Sequence, residues 1–251
     1  MSRRYVTAPG HVAACDLGTD TATVIVNYRT GRTHTLVGPS ARCWAELAAT
    51  GDPAGVTVLS AELAARLVDS LSAAGLLTDT TTPRPWAAPV PGHPWRLSFG
   101  SEELKAGCEP LPAVPLGVQL GAALALAATL AVRHIGHHGG GMARILRLIN
   151  RAHRRTRTPA TAERARQAVH AVRRAALLAP GRVACLEESA AVVLMLALSR
   201  HRVTWSHGVA ADPIRLHAWV ETEGRQPVAE PPSTARYTPI RSIPFTEQGR
   251  P

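Results

Sequence analysis

A chain of 251 residues has room for one large domain or two small ones. With 45 % hydrophobic and 18 % charged residues it can build a packed core, which excludes a disordered chain. The formal net charge of +10 is nearly all arginine, since Lys105 is the only lysine, and it favours an acidic partner without choosing among nucleic acid, anionic lipid and acidic peptide.

Residues 12–17, 22–28 and 32–37 are short β-rich runs. The turns between them carry Gly18, Thr19 and Asp20, then Arg29, Thr30 and Gly31, residue types that hairpins use. Two helical patterns follow. Residues 39–49 have Pro39 at the start, Cys43, Trp44 and Leu47 at helical spacing, and Gly51 just beyond. Residues 60–74 have Ser60 as N-cap, Leu63, Leu67, Val68 and Leu71 on one face, and Gly75 as the stop. Strands followed by helices predict a small α+β module over residues 1–77. Residues 78–114 hold seven prolines, with Pro115 just beyond, and read as a linker between domains.

From residue 115 the texture is helical. Residues 110–132 contain no charge and are long enough to span a bilayer, but most of them are Ala and Gly. A buried core helix is the preferred reading over a membrane span. Residues 144–174 then carry ten arginines against Glu163, with apolar stripes at helical spacing (Ile145, Leu148, Ile149; Val169, Val172, Ala176). Two amphipathic helices with solvated arginine faces are expected, in preference to a nucleic-acid or anionic-lipid surface. His134, His137 and His138 beside Gly139–141 read as a turn, with no fourth ligand for a metal.

Four cysteines, Cys15, Cys43, Cys108 and Cys185, form no CxxC pair, so neither a zinc site nor a disulfide framework is indicated. The first ten residues lack the apolar run of a signal peptide, and a reducing, cytoplasmic location is expected. At least one thiol is then free for chemistry, and Cys185 is the candidate. Pro180 and Gly181 break the preceding helix, and a new helical pattern starts around residues 183–185. A thiol in a helix's first turn meets free N–H groups and the positive dipole end, which favour its thiolate. Strands follow at 203–209 and 217–222, the second reading HAWVE, and Glu223 and Gly224 are a turn signal. A two-residue turn there sets His217 opposite Glu230, within reach of a hydrogen bond; a bulge near Pro227 would slip the register. Cysteine, histidine and carboxylate in this order follow the logic of a Cys–His–acid triad. Taken singly, Cys185 also reads as a small buried residue and His217 as a satisfied core histidine.

The runs APGRVACLEESAAVVLMLALSRHRV (residues 179–203) and GVAADPIRLHAWVETEGRQPV (208–228) resemble the leader peptidase of lasso-peptide biosynthesis, the B protein, a transglutaminase-like and papain-related fold. That resemblance implies Cys185 as nucleophile and His217 as general base, no cofactor and no metal. The family's acid is usually an aspartate shortly after the turn; here Glu230 stands one residue further on. Glu188 also matches and reads as structural or substrate-facing. Residues 12–48, with SLSAAGLL at 70–77, are similar to a PqqD-like precursor-recognition element, a winged-helix-like unit of three strands and three helices. Relatives add the leader peptide as a strand, and main-chain hydrogen bonds supply the affinity. Mapped here, the implied binding edge is Arg32, Thr33, His34, Thr35, Leu36 and Val37. The implied helix face is Arg66, Asp69, Ser70 and Ala73.

The expected fold class is therefore α+β: a winged-helix-like recognition module followed by a transglutaminase-like peptidase domain at 115–251. The expected function is leader peptidase in lasso-peptide maturation. Its partners would be the precursor's leader and an asparagine-synthetase-like lasso cyclase, with no nucleic acid, and with membrane association not favoured. The rivals are a transglutaminase-like acyltransferase, a winged-helix DNA-binding regulator and a membrane-tethered pseudoenzyme.

Overall fold

The computed structural model describes residues 4–18, 22–93, 111–136, 138–211 and 214–244. The chain divides into two compact units, Met1–Trp95 and Arg96–Pro251. Cys108, His137, the turn residues Thr19 and Asp20, and Pro94 and Pro110 of the expected linker lie outside the described residues.

In the first unit, β1 (Tyr5–Thr7), β2 (Val12–Asp16), β3 (Ala22–Asn27) and β4 (Arg32–Val37) precede α1 (Pro39–Thr50) and α2 (Ala61–Ala73). β2, β3 and β4 form an antiparallel meander. The buried side chain of Asn27 accepts from the N–H groups of Arg29 and Thr30 and donates to the Gly75 carbonyl, which fixes the β3–β4 turn to the chain just past α2. Ser60 caps α2, as its sequence position predicts, by accepting from the Leu63 N–H. The core gathers Val6, Ile25, Trp44, Leu47, Val68 and Leu76. A short 3₁₀ turn, Pro53–Gly55, stands between α1 and α2, and the described residues contain no third α-helix of the expected winged-helix pattern.

The boundary expected at residue 77 moves outward. β5 (Thr78–Thr80) pairs antiparallel with β1, and β6 (Val90–Pro91) pairs parallel with β2. Between them the Trp86 N–H donates to the Ala48 carbonyl, and its ring packs edge-on against Trp44 at 5.6 Å. Gly51, in the left-handed region at φ 68° where α1 ends, makes room for this return, because a Cβ there would lie 2.6 Å from the Arg84 nitrogen. The prolines of residues 83–91 therefore mark an extended segment bound to the first unit. They prevent helix, as expected, without making the segment a linker.

In the second unit, α3 (Leu116–His134), α4 (Gly141–His153), α5 (Ala162–Leu177) and α6 (Cys185–Leu198) precede β9 (Thr204–Ala210), β10 (Arg215–Glu221) and β11 (Thr238–Ile243). The two-residue strands β7 (Thr158–Pro159) and β8 (His201–Arg202) pair in parallel beside them. The three long strands order β10–β9–β11, all antiparallel. α6 is apolar around most of its surface because it packs against α3, α4, α5 and the β9–β10 face. α3 is buried on one face only, through Ala122, Ala125, Leu126 and Thr129. Its other face leaves Leu116, Leu120 and Leu124 exposed at intervals of one helical turn, so α3 is covered along one narrow face and is not the expected buried core helix. Nor are all the arginines of residues 144–174 solvated. Arg144 donates to the Val132 and Arg133 carbonyls and so caps α3.

Candidate active site

Cys185 is the first residue of α6, and three contacts fix it there. The Glu187 carboxylate, fully buried and ion-paired with Arg133, accepts from the Ala184 N–H at 3.0 Å. Ser189 Oγ donates to the Cys185 carbonyl at 2.6 Å, and Trp205 Nε1 of β9 donates to Ser189 Oγ at 2.9 Å. The first turn of α6 is thereby tied to α3 on one side and to the sheet on the other.

His217 stands in β10 opposite Gly208 of β9. Gly208 is needed because a Cβ would lie 2.7 Å from the Thr238 carbonyl oxygen and 2.8 Å from the Trp219 ring. That Trp219 ring in turn stacks on the imidazole at 5.7 Å, and Tyr237 tilts against it at 5.2 Å. Nε2 of His217 lies 2.7 Å from Glu230 Oε2, which leaves Nδ1 for the Cys185 side chain, the ring's other hydrogen-bond partner.

The route by which Glu230 arrives differs from the expected ladder. The hairpin has a three-residue loop, with Gly224 and Arg225 both at positive φ (83° and 60°). Glu221 therefore pairs with Pro227, and the Val228 N–H donates to the Val220 carbonyl. This register is one residue off the expected one and does not set Glu230 opposite His217. Instead the chain leaves the ladder at Ala229, which adopts φ 51°, and that turn delivers the carboxylate. Glu230 is only 7 % exposed; its Oε2 also accepts from Thr234 Oγ1. Its Oε1 accepts from Arg173 of α5 at 2.7 Å.

Burial by itself would raise the Cys185 thiol. Hydrogen bonds from His217 and from the Ala218 N–H outweigh it and hold the thiol below its ordinary value. Burial likewise opposes charging of His217, yet the hydrogen bonds with Cys185 and Glu230 raise it to about 9. The opposite shifts of the two groups both favour a thiolate–imidazolium pair. His207 behaves oppositely. Buried against Trp205, and repelled by His217 and Arg241, it falls to about 4 and stays neutral. Burial pushes Cys15 up to about 12 and Cys43 to about 11, so neither supplies a thiolate. A small cleft opens on Cys185 and His217, lined by Arg173, Glu188, Val192 and Trp219. Burial raises Glu188 above the usual carboxylate range.

Residues 125–242 match the model of the transglutaminase-like superfamily, and that span contains the whole cluster just described. The second unit carries a transglutaminase-like domain. No curated protein and no solved structure matches the chain. The superfamily holds cysteine peptidases and acyltransferases, both of which use the chemistry this cluster offers: a nucleophilic sulfur, a proton carrier and an acid that orients the carrier. Sequence reasoning missed three supports of the transglutaminase-like domain: Glu187, Thr234 and Arg173. Arg173 did carry a signal, since it follows Val169 by four residues and so borders the buried stripe of α5.

Of the residues implied for leader binding, Arg32 to Val37 form β4, which among the described residues is an edge strand paired only with β3. Arg66, Asp69, Ser70 and Ala73 lie exposed on α2. Asp69 pairs with Arg4, which also bridges to Asp79, and Arg66 pairs with Glu62. Among the described residues no hydrogen bond or ion pair joins β4 to this α2 face. No three His, Cys, Asp or Glu side chains gather as a metal site among the described residues either.

Proposed function

We propose that this chain is a leader peptidase of lasso-peptide maturation, and that Cys185, His217 and Glu230 are its triad. The observation that carries the reading is the continuous hydrogen-bonded chain from the Cys185 thiol through His217 to the Glu230 carboxylate, at 2.7 Å for the second link. The thiolate attacks the carbonyl carbon of the leader–core bond. The developing oxyanion meets the free Cys185 N–H of the first helical turn. The His217 imidazolium gives its proton to the leaving amine, which frees the core's N-terminus and leaves a thioester on Cys185. Water, deprotonated by His217, then hydrolyses the thioester and restores the thiol.

The first unit supports the recognition half of the proposal through one feature, the open edge of β4. An extended leader adds there as a strand and gains main-chain hydrogen bonds. Joining recognition and chemistry in one chain raises the effective concentration of the scissile bond at Cys185. A regulator that reads DNA is less well supported, because Arg144 and Arg173 are turned toward protein groups and Arg66 of α2 is paired with Glu62.

Incubation with a lasso-type precursor peptide that carries its leader tests the reading. Wild type releases free leader and core, and Cys185→Ala releases neither. Cleavage retained by Cys185→Ala overturns the triad. An amide adduct to an added amine, in place of free leader, establishes acyl transfer as the reaction.

A further inference from the structure

We propose that Arg173 is the positioning residue of this site: it clamps the turn at Ala229 and Glu230 so that the carboxylate meets the imidazole. The inference rests on the triad proposed above and adds what holds it together.

Among the described residues no ladder hydrogen bond reaches the Glu230 backbone. The last ladder hydrogen bond is from the Val228 N–H, and the next residue, Ala229, sits at φ 51°, a conformation that a side chain disfavours. Glutamate also has one more rotor than aspartate has, so more freedom must be removed to hold it. Arg173 removes it at two points. Its Nη1 donates to the Ala229 carbonyl at 2.6 Å, and its Nη2 donates to Glu230 Oε1 at 2.7 Å. The planar guanidinium fixes the angle between these bonds, as an ammonium cannot. The two carboxylate oxygens are thereby divided, Oε1 to Arg173 and Oε2 to His217 and Thr234. Among the described residues Arg173 makes no hydrogen bond with Cys185 or His217; it holds Ala229 and Glu230, with Glu188 3.8 Å from its Nε, so its effect on His217 passes through Glu230. A weak surface ion pair does not describe this contact, since Arg173 is 27 % exposed and Glu230 only 7 %.

Position and plain charge predict opposite results. The groups facing His217 are Cys185 and Glu188 from α6, Glu230 after the hairpin, Tyr237, and His207 of β9 with Arg241 behind it. If Arg173 only adds a positive charge nearby, its removal raises the His217 value. If Arg173 positions Glu230, its removal lets the carboxylate swing away, and His217 falls from about 9 toward its ordinary 6.5.

The test compares full-length wild type, Arg173→Met and Arg173→Lys. Hydrolysis of the precursor peptide by Arg173→Met is expected to lose about 100-fold in kcat, the scale of a misplaced catalytic geometry, with KM unchanged. The alkaline limb of its pH profile moves to lower pH. Arg173→Lys keeps the charge but not the fork, and recovers little. The same three backgrounds carrying Cys185→Ala are titrated by NMR at the His217 ring, a readout that needs no activity. A downward shift on losing Arg173 supports the proposal, and an unchanged or raised value overturns it. Should Arg173→Met fail to fold, Arg173→Lys retains the cation and decides by the same sign. A wild type without hydrolytic activity but with the downward shift sinks the peptidase reading alone. Hydrolysis with an unmoved titration sinks only the Arg173 assignment.

Discussion

Cys185 and His217 hold each other charged. The thiolate needs a pH above the lowered Cys185 value, and the imidazolium needs a pH below about 9. Hydrolysis measured as kcat/KM is therefore expected to rise through an acid limb set by Cys185 and to fall through an alkaline limb near 9. An acid limb at the ordinary thiol value, or an alkaline limb near the ordinary imidazole value of 6.5, would contradict the ion pair. Glu230→Gln keeps the shape and a hydrogen bond but cannot balance the imidazolium, and kcat should drop between about 10²- and 10⁴-fold. An unaffected rate would remove Glu230 from the triad. Cys185 and His217 were legible in the sequence because each stands at a patterned position, one opening an apolar helix and the other within an alternating strand. Glu230 meets His217 by a route other than the one the register arithmetic gave. The register arithmetic needed a two-residue turn, and the positive φ of Arg225 and Ala229 shifted the ladder and then ended it. Neither residue is a glycine, so composition gave no warning of either turn.

The elements that position the site depend on close packing at few points. Gly208→Ala would push a methyl group into the Thr238 carbonyl and the Trp219 ring, at an expected cost of about 1–3 kcal/mol. It should also reduce activity, because Trp219 carries the stacked face of His217; thermal denaturation together with a rate assay reads both effects. Trp44→Ala empties the centre of the first unit's core and should cost that unit about 3–5 kcal/mol. Apart from β11, whose TPIRSI carries a proline and no clean alternation, the long elements were recovered from sequence nearly to their ends, since hydrophobic period and caps both marked them. β1, β5 and β6 were not. Strands of two or three residues are too short to show alternation, and β6 contains a proline, a residue that argues against a strand.

At the scale of the whole molecule, residues that read as a spacer belong to the first unit. A first unit ending at residue 77 would lose β5 from β1, Trp86 from Trp44 and β6 from β2. Its melting temperature should lie well below that of a unit ending at residue 93, and equal stability would refute the docked segment. The excess positive charge also reads differently once folded. Arg133, Arg144 and Arg173 are committed to Glu187, to the end of α3 and to Glu230, so part of the basic run is internal wiring, and net charge alone says little about partners.

β6 has one more effect, on how copies of this chain can meet. Among the described residues its sheet ends in β4 on one side and β6 on the other. On the β6 side, Pro91 and nearby Pro89 lack the N–H that a new strand would need. A sheet that can grow at one edge only cannot polymerise: two copies joined through β4 would leave no second edge for a third. Association by this route stops at a pair, and a peptide on β4 competes with that pairing directly.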